Sequence, residues 1–236
     1  ILQKRKERYA IVKRNKSGYG LALKGPQHDE AWLIFLDMVH NLMPTFEQKA
    51  EALHWFPMFR TWFGLNGLCK LPWNDIVPED NKNTPEPAKV MAHVENYAKY
   101  FYAVTGRKVA TDDIISMSEK VYNFQRIFNL RMGFGTREHD NIPYRAVGPV
   151  TEEEYESHAE HYDKQLREKV GFDPGGKSTK EKLAVLRKHR EAEYERLKDA
   201  VYKRRGWNHN GVPTLEKVRN LGIGTPDVVE LVEKFQ

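Results

Sequence analysis

Cys69 is the one cysteine of the chain, and it closes the run Gly64-Leu65-Asn66-Gly67-Leu68-Cys69-Lys70. A lone thiol is an inert core group, a nucleophile or a metal ligand. Closely spaced glycines before it let a backbone come near a bulky cofactor, because no Cβ stands in the way and the N–H groups can bond sulfur or ring heteroatoms. Free cysteine is commonly buried and one thiolate cannot hold an iron–sulfur cluster, so the local sequence by itself favours a buried structural thiol. His28 stands beside Asp29 and Glu30. An imidazole next to carboxylates can give or take a proton near neutral pH. The same acids also suit a helix start, where they meet the positive end of the dipole. His139-Asp140 is another acid–base candidate, read as a structural loop held by Arg137 and Arg145. His158 and His161 have metal-site spacing without an evident third ligand, and read as a solvated face.

The elements that position these residues are mostly helical. Apolar and polar residues alternate around Asn15-Lys16-Ser17-Gly18, which predicts a small β-hairpin from Tyr9 to Lys24. Trp32, Leu33, Leu36 and Val39 then fall at helical spacing. A helix opens at Thr45, with Gln48 completing a capping box, and its stripe carries Ala52, Trp55, Phe56, Phe59, Trp62 and Phe63. Pro57 lies inside that stripe and is expected to kink or split it. The proline-rich segment 71–87 is a loop. Helices follow from about Ala88 to Val104 and behind Thr111, whose hydroxyl is expected to cap the second. The latter carries Ile114, Ile115, Met117, Val121, Phe124, Ile127, Phe128 and Leu130, an apolar surface wide enough for the core helix of the domain. Thr151 caps a further helix, a long charged helix ends at Gly206, and short helices start behind Thr214 and Thr225-Pro226. The fold class is mainly α, a bundle-like helical domain over residues 28–236, with the hairpin in 1–27 belonging to an upstream part.

The chain has 236 residues with 40% hydrophobic and 30% charged, the composition of a soluble globular protein. No apolar run approaches the roughly 20 residues of a membrane span. The basic start, ILQKRKERYAIVKR, lacks the apolar core of a secretion signal, and a single cysteine agrees with a reducing cytoplasm. A net charge of +5 raises the question of nucleic acid. From Ser178 to Arg205, however, the bases alternate with Glu181, Glu191, Glu193, Glu195 and Asp199, which reads as a solvated helix face with i,i+4 pairs and no nucleic-acid partner.

Several stretches resemble the aldehyde ferredoxin oxidoreductase family in order and wording. Gly67-Leu68-Cys69 matches the end of its late Asp-x-x-Gly-Leu-Cys motif, with Gly64 where the family has Asp. Tyr102-Ala103-Val104-Thr105-Gly106, Asn123 to Gly133, Arg137 to Arg145 and Arg205 to Thr214 resemble its later turns and loops, covering roughly residues 45–222. The resemblance implies a tungsten bis-pyranopterin and a 4Fe-4S cluster, with Cys69 a cluster ligand and Asn66, Gly67, Leu68 and Lys70 against the pterin. It implies His28, with Glu30, beside the metal. It implies electron exchange with ferredoxin or an iron–sulfur subunit, and a substrate that is an aldehyde or an aromatic acyl-CoA. Gly64, the run Cys69-Lys70-Leu71-Pro72-Trp73 and the aromatic wall from Trp55 to Phe63 lean toward the ring-reducing branch, the tungsten subunit of class II benzoyl-CoA reductase. Aldehyde-to-carboxylate oxidation is the alternative in the same family, and a helical interaction domain without cofactor the alternative outside it.

Overall fold

In the computed structural model, residues 20, 21, 23, 45–68 and 91–236 are described. Helix α1, Phe46–Leu65, starts where expected: Gln48 N–H donates to Thr45 Oγ1 at 3.2 Å and Thr45 N–H donates to Gln48 Oε1 at 3.1 Å. These reciprocal bonds satisfy donors that the first turn cannot use internally. Helix α2 spans Met91–Thr105 and α3 Thr111–Arg131. Thr111 is the first residue of α3 and not its cap. Ala110 holds the cap position, and Asp113 accepts its N–H at 2.8 Å.

A short 3-10 segment, Arg137–Asp140, leads to α4, Tyr144–Val147, and α5, Glu152–Glu156, capped by Thr151. Helix α6, Ala159–Gln165, runs into a π-helical segment, Leu166–Val170. The longest element, α7, is Thr179–Arg205; a Ser178–Glu181 capping box opens it and Gly206 in the left-handed region closes it. Helices α8, Leu215–Asn220, and α9, Pro226–Glu233, end the chain.

Helix α1 lies between α3 and α7. Its Ala50, Leu53, Phe56, Trp62 and Phe63 are buried with Tyr97 of α2, Ile114 and Tyr122 of α3, Leu197, Val201 and Tyr202 of α7, and Trp207. Burying a Leu, Ile, Val or Phe side chain here contributes about 1.5–3 kcal/mol by leaving water. A second cluster joins Ile127 and Leu130 to Val212, Val218, Val228 and Val232, and a third joins Tyr155, Tyr162, Leu166 and Leu186. Helix α3 is therefore central, but not on all sides as its composition suggested. Phe124 and Phe128, one turn apart, point outward at 50% and 56% exposure.

The mainly helical class stands, and among the described residues there is no strand, only one antiparallel bridge between Trp207 and Pro213. The hairpin expected over Tyr9–Lys24 falls mostly outside the described residues, as does the boundary near 27. The three described positions within it do not support a hairpin: Gly20 is helical, Leu21 a bend and Leu23 a turn. Among the described residues no helix is long and apolar enough to cross a membrane.

Candidate functional site

The end of α1 brings Asn66, Gly67 and Leu68 together. Leu68 N–H donates to Phe63 O at 3.0 Å and Gly67 N–H reaches Gly64 O at 3.5 Å, the pair of bonds that closes a helix through a left-handed glycine. Gly67 has φ +64°, and a Cβ built on it meets nothing within 4 Å. Backbone conformation, not a close approach within the protein, explains this glycine. Asn66 is exposed, and its Nδ2 donates to Trp62 O at 2.9 Å. Leu68 is half-buried and packs against the core cluster that contains Phe63. Cys69 and Lys70, which follow this cap, lie outside the described residues, as do His28 and Glu30.

The aromatic stripe of α1 faces inward. Trp62 packs against Phe101 with centroids 5.5 Å apart, Phe63 meets Tyr97 at 5.0 Å, and Arg60 lies 4.3 Å from the Phe63 ring centroid. Of the expected aromatic wall, Phe56, Trp62 and Phe63 are buried in the core and Trp55 is half-buried against it. Pro57 does not split α1, which runs unbroken through it. His54, near the middle of α1, is pushed down to about 4 by burial and then by the Arg205 charge, and among the described residues its Nδ1 has no hydrogen-bond partner. It is therefore neutral near pH 7.

The later motif segments meet in a second place, around Asp140. Arg126 of α3 clamps its carboxylate with two bonds of 2.8 and 2.7 Å, and Tyr202 of α7 donates to Oδ2. Arg126 Nε donates to Gly211 O at 2.8 Å, and Tyr194 donates to the Asp140 carbonyl. Burial, then the Asp140 charge, pushes both tyrosine hydroxyls far up, so they stay protonated donors. Trp207 donates from Nε1 to Asn123 Oδ1 at 2.7 Å and lies beside Tyr122, Arg126 and Arg205. Arg137 bonds Glu195, Asp199 and the His209 carbonyl, while Arg145 pairs with Glu154 at the surface. The loop is structural, as its charges suggested, although Arg126 and not Arg145 holds Asp140.

Beside this knot is an open cleft of about 540 Å³ lined by Thr136, Arg137, Glu138, Asn141, Glu195 and Lys198, with Asn210 and Phe235. Its cations are already spent: Lys198 bonds Asn141 at 3.0 Å and Glu195 at 2.7 Å. Burial works against the Glu195 charge, but Lys198 and Arg137 hold its carboxyl below the usual range. His161 shares a bond with Gln165, and His158 sits edge-on to Tyr162. Among the described residues, no group of three or more His, Cys, Asp or Glu could hold a metal ion.

Reading the basic residues of α7 as solvated missed Arg187, Lys198 and Arg205, which are buried. Reading α3 as an apolar helix passed over Arg126, whose signal was a cation three residues after Asn123 on an otherwise apolar surface. A family model described as "Aldehyde ferredoxin oxidoreductase, domains 2 & 3" matches residues 8–223. No curated protein and no solved structure matches the chain.

Proposed function

This chain belongs to the aldehyde ferredoxin oxidoreductase family, and on that premise we propose that it is the carboxy-terminal part of a tungsten bis-pyranopterin, 4Fe-4S oxidoreductase. The family is one of oxidoreductases. The observation that carries the reading to this chain is the family match running through the α1 cap, which opens to solvent immediately before the lone cysteine. The cap is compatible with such a group: among the described residues nothing stands within 4 Å of a Cβ built on Gly67, and Asn66 is exposed. In this reading Cys69 ligates the cluster, and Asn66, Gly67, the Leu68 backbone and Lys70 border the pterin. The tungsten–pterin centre supplies the two-electron redox chemistry.

The substrate in this reading is an aldehyde, oxidised to a carboxylate, with electrons leaving to a ferredoxin or an iron–sulfur subunit. The ring-reducing branch loses support in α1, because Phe56, Trp62 and Phe63, three of the aromatic side chains invoked for it, are core. His28, with Glu30, manages protons beside the metal. His28→Asn is expected to lower turnover per tungsten by about a hundredfold, the scale of lost acid–base catalysis. Near wild-type turnover would retire that role and leave the helix-start reading.

The test is anaerobic production of the complete polypeptide, followed by tungsten, pterin, iron and sulfide analysis and a dye-coupled aldehyde assay. Tungsten, pterin and a cluster together with aldehyde-dependent dye reduction support the proposal. A folded protein devoid of all three contradicts it in favour of a helical interaction domain.

A further inference from the structure

Gly20, Leu21 and Leu23 come before α1 in the chain and lie against the core that α1, α3 and α7 share. Leu21 is 1% exposed within that cluster, and Leu23 packs on it. The Leu21 carbonyl accepts from Tyr122 Oη of α3 at 3.1 Å, across 101 positions of sequence. It also faces the guanidinium of Arg205, the last residue of α7, at 3.4 and 3.5 Å. Gly20 touches the knot around Asp140. A Cβ built on it would run into Tyr194 Oη and stand 2.9 Å from both Asp140 O and Ile142 Cγ2, so only a residue without a side chain fits there.

The group beneath this segment is under-bonded. Arg205 is 1% exposed, yet among the described residues no carboxylate pairs with it, and its Nε is without a hydrogen-bond partner. Its one bond shorter than those to Leu21 runs from Nη2 to Leu53 O at 3.1 Å, the carbonyl that Pro57, lacking an N–H, leaves without a helix donor. The rings of Tyr122 and Trp207 lie 4.9 and 4.8 Å from it. A cation shut from water without a counter-charge carries a desolvation cost that an apolar side chain of similar volume avoids. Withdrawing Leu21 gives up apolar burial but lets water back to the guanidinium. The two effects oppose each other, which lowers the free energy of opening at this place relative to the helices below it.

We propose that Gly20, Leu21 and Leu23 belong to a releasable strap, which closes the junction of α1, α3 and α7 and which the buried charge of Arg205 sets to open ahead of the helices. This device does not rest on the role given to Cys69.

The experiment is native-state hydrogen exchange of the complete polypeptide, read by mass spectrometry. It compares the peptide spanning residues 20–23 with peptides around Tyr122 of α3 and Val201 of α7. In the wild type the strap is expected to exchange at least tenfold faster than the two helices and at least tenfold slower than the denatured chain. Gly20→Ala, which forces the strap off Asp140, is expected to raise the strap's rate at least tenfold with the helices unchanged. Arg205→Met is expected to act in the opposite sense and slow the strap about threefold or more, because no charge is left for water to recover. A strap that exchanges with the helices opens only with them and overturns the proposal. One that exchanges like the denatured chain is not docked, and overturns it too, as does an unchanged or faster strap in Arg205→Met. Should Arg205→Met fail to fold for want of a donor to Leu53 O, adding Pro57→Ala supplies an N–H there, and the same comparison is made against Pro57→Ala alone.

Discussion

The end of α1 and the knot around Asp140 both consist of residues that resemble family motifs, and both turn on a glycine at positive φ, yet they are built in opposite ways. At Gly211, φ +75°, a Cβ would meet Arg126 Nη2 at 2.5 Å and Tyr202 Cζ at 2.8 Å. At Gly67, φ +64°, it would meet nothing within 4 Å. Around Asp140 the carboxylate oxygens and the Arg126 donors are spent on one another and on neighbouring groups. At the end of α1 Asn66 is exposed, and its amide donates to the Trp62 carbonyl of its own helix. Similarity of motif thus does not separate scaffold from site. Whether the polar groups are closed on themselves does, because a satisfied buried network rigidifies the fold and leaves nothing over for a ligand.

The comparison can be broken most sharply at Asp140. Asp140→Ala leaves Arg126 buried without its counter-charge, and is expected to cost about 3–5 kcal/mol in urea unfolding. A cost below about 1 kcal/mol would mean that the knot is not the structural centre described here.

Substituting alanine at the two glycines sharpens it further. Gly211→Ala combines left-handed strain of about 1–2 kcal/mol with overpacking of about 1–3 kcal/mol. Gly67→Ala carries the strain alone, about 1–2 kcal/mol. Equal unfolding midpoints for the two variants would erase the distinction between closed and open.

His54 supplies a pH-dependent reading of the α1 side. Its folded pKa is held down to about 4 by burial and by Arg205, against 6.5 for the free group. The unfolded chain therefore binds the extra proton across that window. Stability from this residue is fully present above pH 6.5, declines as pH falls toward 4, and is level below it. The full span is about 3 kcal/mol. His54→Gln is expected to flatten that part of the profile, and an unchanged slope would show the imidazole to be accessible to protons in the folded state.

The parts of the fold legible in the sequence are those decided within a turn or two of chain. The Thr45 and Thr151 caps, the Gly206 stop and the Pro226 start each depend on neighbours three or four residues away. The misreadings came from partners far off in sequence. Helix α7 looks like a solvated charged helix until Arg205 is seen to serve Leu53 O and Lys198 to lie under Glu195 and Asn141. Pro57 looks like a break because the donor that repairs it comes from another helix. The aromatic stripe of α1 looks like a cavity wall as readily as core, since periodicity places a face without saying what covers it. Of the candidate site, the cap at Asn66, Gly67 and Leu68 was legible as a glycine-bearing helix end. The roles of Cys69, Lys70, His28 and Glu30 depend on groups outside the described residues.

The central claim is that this chain gives one thiolate to a cluster whose other ligands lie elsewhere. It is tested most directly by counting iron and sulfide, and recording the cluster's resonance signal, in the complete enzyme carrying Cys69→Ser. The account predicts that the 4Fe-4S signal is lost or converted to a three-iron form, while the helical circular dichroism of the domain is kept, because ligation and not packing is the role given to Cys69. Unaltered iron, sulfide and signal in that variant would contradict it.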